Sequence, residues 1–283
     1  MQQHTIQKPQ SLSGIGVHSG KPATLTVRPA APGEGVTFVR KDQGGAVIPA
    51  HALRVSTTML GTNMTNDAGV SVATVEHFLA ACAGLGVDNI VAELDGPELP
   101  ILDGSSKPFV ELLEQAGIAE QQAPRRALKV LKTVEVRDGV KFARLSPGRG
   151  FVMRVLIDFP SKVIGRQTIA FEMKPGAFAR DVAWARTFGF KKDAEAMYAQ
   201  GKALGASMEN AIVIEDDAIL NEGGLQADDE FVRHKLLDVI GDLALAGGPI
   251  EGLYEGEQPG HALNNRLLRE LFADAAAFAW EAG

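Results

Sequence analysis

Cysteine is almost absent: Cys82 is the only one in 283 residues. An internal disulfide is therefore excluded, and a reducing compartment, the cytoplasm, is the expected setting. Long apolar runs are missing too, with nothing approaching the roughly 18 residues that would suggest a bilayer crossing. The opening MQQHTIQKPQ is polar and has no apolar stretch of the kind a secretory signal requires. Basic residues are in deficit, 28 Lys and Arg against 35 Asp and Glu, for a net charge of −7. They are spread thinly, whereas phosphate backbones demand a concentrated basic surface, so nucleic acid is not an expected partner. Short repeats and low-complexity tracts are also lacking. What is present, 45% hydrophobic and 22% charged residues, is the balance of a globular protein with a sizeable core. The length suits one large domain or two of ordinary size.

The two halves echo each other. Residues 17–29, VHSGKPATLTVRP, alternate in polarity and are broken by Ser-Gly; residues 136–147, VRDGVKFARLSP, are broken by Asp-Gly. Glycine at such breaks supplies the positive φ of a tight turn, so each stretch reads as paired strands. A further strand-like run follows each, GVTFVR from Gly35 and GFVMRVLIDF from Gly150. Helical patterns come next in the same order. VATVEHFLAACAGLG (72–86) corresponds to DEFVRHKLLDVIGDL (229–243), and KPFVELLEQAG (107–117) to ALNNRLLRELFADAAAFAW (262–280). His77 to His234 spans 157 residues, and so does Gly104 to His261.

This pattern predicts an α+β fold of two similar domains, 1–124 and 125–283, arising from an internal duplication. Each unit reads as a hairpin and strand followed by helix, strand and helix. Chance is the competing account, since unrelated α+β proteins also alternate in this way. Two stretches fit neither template and read as insertions, one near 42–71 and one near 186–214, the latter as strand, short helix, Gly-rich turn and strand. Insertions on a rigid scaffold are where binding specificity tends to be placed.

The 229–243 helix carries a chemical edge. With His234 at zero, Asp238 lies at about 40°, Asp242 at about 80° and Lys235 at about 100° around the axis. Val239, Leu236, Leu243, Ile240, Ala244 and Leu237 fill the arc from about 140° to 300°, which packs. A solvated face with i,i+4 side-chain hydrogen bonds also produces this spacing. The equivalent helix of the first half holds Glu76 and His77 among Val72, Val75, Phe78 and Leu79, where a satisfied core histidine is the plain alternative. If the halves pack about a pseudo-twofold, His77, His234 and Asp238 come together as a 2-His-1-carboxylate set. Such a set leaves one position for water, as in a catalytic zinc site. Glu76 would then be placed as the general base. His261 follows Gly260 at a loop-to-helix junction, and an exposed histidine is the alternative there. Asp242 could orient it and favour its imidazolium as a general acid. Metal, base and acid are the components of amide or ester hydrolysis.

At this point the motifs SGIGVHSG, TVEHFLAA, GVDNIVAELDGPELPILDGSS, ARTFGF, DEFVRHKLLDVIGDL and GHALNN resemble the zinc-dependent UDP-3-O-acyl-N-acetylglucosamine deacetylases of Gram-negative bacteria. They occur in family order from about residue 12 to 268. The resemblance implies removal of acetate from the glucosamine 2-amide, the committed step of lipid A synthesis, by a cytoplasmic monomer whose two domains each layer a β-sheet against α-helices, with the active site between the helix layers. It implies Zn2+ on His77, His234 and Asp238, with Fe2+ able to use the same ligands, because selectivity depends on availability as well as affinity. It implies Glu76 as base, His261 as acid, Asp242 as the partner of the acid and Thr187 as a donor to the oxyanion. It also implies a substrate-contacting role for Lys235, an acyl-chain passage at Phe188 and Phe190, uracil stacking on Phe159, and substrate contacts from Met59 and Leu60 of the first insertion. The chain departs from the family pattern after IDF, where His-Pro is missing, and at Lys191, Ala194 and Ala206. A different metal-dependent hydrolase would share the ligands without needing RTFGF. A non-catalytic nucleotide-sugar or RNA-binding module would tolerate loss of His261.

Overall fold

A computed structural model describes residues 1–282. One sheet has the spatial order Gln10–Ile15, Pro22–Pro29, Ile90–Leu94, Val36–Arg40, Ala46–Pro49. Its neighbours are antiparallel except Val36–Arg40 and Ile90–Leu94, which are parallel. The other sheet contains Val134–Asp138, Lys141–Ser146, Ile250–Glu257, Phe151–Asp158 and Arg166–Glu172 in the same relative order, again with only its third and fourth strands parallel. It is widened by Arg126–Val130 and Phe278–Ala282. Alternation sets the inner faces: Ala23, Leu25 and Val27 point inward from one strand, Met153, Val155 and Ile157 from another. The fold class is α+β, as expected.

Six helices are present among the described residues: α1 (Glu76–Leu85), α2 (Lys107–Ala116), α3 (Ala177–Asp181), α4 (Lys191–Tyr198), α5 (Glu230–Ala244) and α6 (His261–Ala273). Helix α1 ends on Gly86 in the left-handed region, whose N–H returns to the carbonyls of Cys82 and Ala83. Helices α5 and α6 lie on the second sheet, and α5 packs directly against α1. Gly241 makes that approach possible. A Cβ there would lie 2.0 Å from the carbonyl oxygen of Glu76, so any larger residue would force the two helices apart. Of the insertions, the first forms a small sheet of Val55–Thr57, Asn63–Thr65 and Ser71–Val72. The second runs Phe188–Phe190, α4, Ile212–Glu215, with its two strands parallel.

Two local expectations are corrected. The helix predicted across 262–280 stops at Ala273. The Asp274 side chain accepts the Ala276 N–H at 2.9 Å, its carbonyl accepts the Ala277 N–H at 2.8 Å, and Phe278–Ala282 continues as a strand on Arg126–Val130. Alanine favours helix, but an open sheet edge and the packing of Phe278 on Phe272, 5.5 Å between ring centroids, outweigh it. The tight turn expected at Ser19-Gly20 is a longer loop, with the preceding strand at Gln10–Ile15. Buried Glu98 takes the backbone N–H groups of His18 and Ser19, each at 2.9 Å, and so replaces a partner strand.

Candidate active site

The polar edge of α5 is not solvated. His234, Asp238 and Asp242 are buried, as are Glu76 and His77 at the start of α1. Burying this many polar groups is costly unless they meet partners, so a plain solvent face does not account for them. The His77 and His234 rings are 5.2 Å apart at 89°. Each Nε2 faces Asp238 Oδ1, at 3.8 Å and 3.5 Å, too far for a good hydrogen bond. One potential ligand atom from each of the three residues lies within 4.8 Å of the others.

The protein also prepares the donors. His234 Nδ1 lies 3.0 Å from the Ala185 carbonyl, and donating there leaves the Nε2 lone pair free to bind. Burial and neighbouring positive groups push His77 down to about 3, and burial also lowers His234, so both imidazoles are neutral. Burial would raise Asp238, but the Lys235 ammonium and the charged His261 nearby oppose it, and the carboxylate is held well below its usual range. Two neutral imidazoles and a carboxylate facing one point suit a divalent cation such as zinc or iron(II). Buried His77 Nδ1 has no hydrogen-bond partner among the described residues.

The candidate proton-transfer groups flank this set. Burial, with Asp242 and Asp238 nearby, raises Glu76 to about 7 against the opposing pull of His261. A carboxylate tuned near neutrality is suited to general-base work. His261 Nε2 lies 3.7 Å from Glu76 Oε1, and its Nδ1 lies 2.9 Å from Asp242 Oδ2. Burial opposes the imidazolium, but Asp242, Glu76 and Asp238 outweigh it and raise His261 to about 10. Asp242 itself sits among donors: Thr62 Oγ1 at 2.6 Å, Asn264 Nδ2 at 2.8 Å and His261.

A sequence profile of the family described as UDP-3-O-acyl N-acetylglycosamine deacetylase matches residues 3–273. The chain belongs to this family. It is similar to the UDP-3-O-acyl-N-acetylglucosamine deacetylase of Shewanella oneidensis, 47% identical over 99% of this chain and 92% of that protein. The protein of the same name from Phenylobacterium zucineum is 50% identical over 96% of this chain and 94% of its own length.

The remaining residues expected in the deacetylase site fall into two groups. Lys235 bonds Asp238 Oδ2 at 2.9 Å and lies over the Phe188 ring. Phe188 is 6.1 Å from the His234 ring, and Phe159 packs on both Phe188 (5.8 Å) and Phe190 (6.5 Å). The three phenylalanines thus form one apolar wall, although separate uracil and acyl roles were expected for them. Thr187 enters this strand, its N–H held by the Gly104 carbonyl at 2.8 Å. Met59 and Leu60 are exposed and border a cleft of about 410 Å³ shared with His18 and Lys202.

Several participants escaped the sequence reading. Thr62 and Asn264 hold Asp242, and Tyr254 donates to Asn264 Oδ1 at 2.7 Å. Fully buried Glu230 pairs with Arg186 through both oxygens, at 2.9 and 3.1 Å, bracing RTFGF against the start of α5. For Asn264, Arg186 and Glu230 the only signal was a position inside GHALNN, ARTFGF or DEFVRH; Thr62 and Tyr254 lie outside these motifs.

Proposed function

We propose that the chain hydrolyses the N-acetyl amide of UDP-3-O-acyl-N-acetylglucosamine, releasing acetate and the free amine, as the committed step of lipid A synthesis in the bacterial cytoplasm. The observation that carries this reading is the convergence of a three-ligand set with a neutral-range carboxylate and a charged imidazole between α1 and α5. The names of the similar proteins supply the substrate class. Zinc, or iron(II), would be held by His77, His234 and Asp238, and when bound it supplies Lewis acidity and makes water a better nucleophile near neutral pH.

The chain's own residues do the rest. Glu76 accepts a proton from the attacking water as the new C–O bond forms at the acetamide carbon. His261 donates its Nε2 proton to the sugar nitrogen as the C–N bond breaks, and Asp242 holds the other side of the ring. Thr187 and the imidazolium are the donors assigned to the carbonyl oxygen as it gains charge, where fixed dipoles count most. Lys235 and the wall of Phe159, Phe188 and Phe190 receive the substrate, with Met59 and Leu60 at the rim. The matching strand order of the two sheets, each with an adjoining helix pair, supports duplicated domains meeting near residues 124 and 125.

The test is acetate release by the purified chain from UDP-3-O-acyl-N-acetylglucosamine, before and after metal depletion. Activity should vanish with chelation and return with zinc or iron(II). A fully active metal-free protein would refute the reading.

The pH profile checks the acid. His261 must be protonated to donate, so kcat/KM falls as pH rises through its pKa, near 10. Asp242→Asn removes the negative charge that favours the imidazolium. The alkaline limb should therefore move to lower pH, as read from kcat/KM profiles of the two enzymes.

A further inference from the structure

The acid and the base come from opposite halves of the chain, yet a single residue touches the machinery of both. We propose that Thr62 is a positioning residue that holds the base and the acid in register, a role that rests on the hydrolytic reading above. Its backbone N–H donates to Glu76 Oε2 at 3.0 Å, and its hydroxyl donates to Asp242 Oδ1 at 2.6 Å. Asp242 in turn holds His261 Nδ1 at 2.9 Å. An ionised carboxylate only accepts hydrogen bonds, so the Thr62 hydroxyl is the donor in this pair.

The placement of Thr62 is tightly determined. It is 1% exposed. Its carbonyl takes the Val75 N–H at 3.2 Å, and the neighbouring Asn63 Oδ1 takes the Thr74 N–H at 3.2 Å, so the loop is tied to the N-terminus of α1. Gly61 precedes it at φ 154°, and a Cβ at that position would stand 2.9 Å from Glu76 Oε1. On the outer side, His18 Nε2 lies 2.8 Å from the Leu60 carbonyl. The first insertion therefore does more than border the cleft: its inner edge contacts both Glu76 and Asp242, the partner of His261.

Geometry explains why such a link matters. Glu76 and His261 must act on the same amide, one at the attacking water and one at the leaving nitrogen. Small rotations of either carboxylate separate them, and misplacement of about 1 Å can cost about 10²-fold in rate. Thr62 restrains Glu76 from the backbone and Asp242 from the side chain, so a side-chain substitution tests the Asp242 arm while leaving the base's backbone donor in place.

The experiment compares the metal-loaded wild type with Thr62→Val, Thr62→Ala, Thr62→Ser, Asp242→Asn and Thr62→Val/Asp242→Asn. It reads kcat, KM, bound metal and the thermal midpoint. Losing the hydroxyl should lower kcat by about 10- to 100-fold, the usual range for partners that orient a site's working groups. KM and metal content should not change. Thr62→Ser keeps the donor and should retain the larger part of kcat. In the Asp242→Asn background, Thr62→Val should cost no more, because the hydroxyl acts through Asp242. Thr62→Ala removes the hydroxyl without placing a methyl against Asp242, and covers the case in which valine does not fold. Folded Thr62→Val and Thr62→Ala enzymes with wild-type kcat would overturn the proposal, as would a loss that multiplies in full with Asp242→Asn. A wild type that releases no acetate would instead overturn the functional reading.

Discussion

His234→Ala is expected to leave the purified chain without bound metal and to lower acetate release by about 10³-fold, on several kcal/mol of transition-state stabilisation from the ion at about 1.4 kcal/mol per factor of ten. Three observations underlie this expectation. His234 Nε2 faces Asp238 Oδ1 at 3.5 Å, with His77 Nε2 at 3.8 Å from the same oxygen, so removing one imidazole leaves two donors. His234 Nδ1 is held by the Ala185 carbonyl at 3.0 Å, which fixes the ring with Nε2 turned towards the other two donors. The ring is buried, and its deletion leaves a cavity beside Phe188. Metal analysis and acetate release on the same preparation are both required. Retention of stoichiometric metal by a folded His234→Ala protein would place the ion elsewhere.

His261→Ala is expected to do the opposite with metal: full retention, with kcat lower by about 10² to 10⁴, the range typical of a positioned acid or base. His261 lies outside the three-donor set and is held by Asp242 at 2.9 Å. Its Nε2 lies 3.7 Å from Glu76 Oε1, so the proposed acid and base are close neighbours. Deleting the imidazole also removes a positive charge that lowers Glu76, so the base should titrate at higher pH in the variant. Loss of metal together with activity would make His261 a ligand.

Much of the site was legible because an α-helix converts spacing into direction. Residues four apart on α5 had to share an edge, so His234, Asp238 and Asp242 could be grouped before any fold was known. The apolar arc opposite them then had to seat the helix. The role of Asp242 was harder to read, because spacing alone also suits a third ligand from α5. Its separation from the metal set is a tertiary matter, decided by Thr62, Asn264 and His261 closing around it. The C-terminal strand was misread for a related reason. Alanine-rich ADAAAFAW favours helix locally, and only the unpaired edge of Arg126–Val130 makes a strand the better use of its backbone.

The amino-acid sequence was enough for the family, the α+β class and a candidate set of ligating and proton-transfer residues. Those follow from composition, from periodicity and from long motifs in a set order. The tertiary structure alone decided that the polar edge of α5 is buried against α1, and that Gly241 lets the helices come that close. It also decided that Phe159 joins Phe188 and Phe190 in one wall, and that Thr62 reaches Asp242 across 180 residues of chain. Backbone hydrogen bonding repeats every few residues and leaves a trace in the local pattern. Packing brings together residues with no fixed spacing between them, so it becomes visible only once the chain has folded.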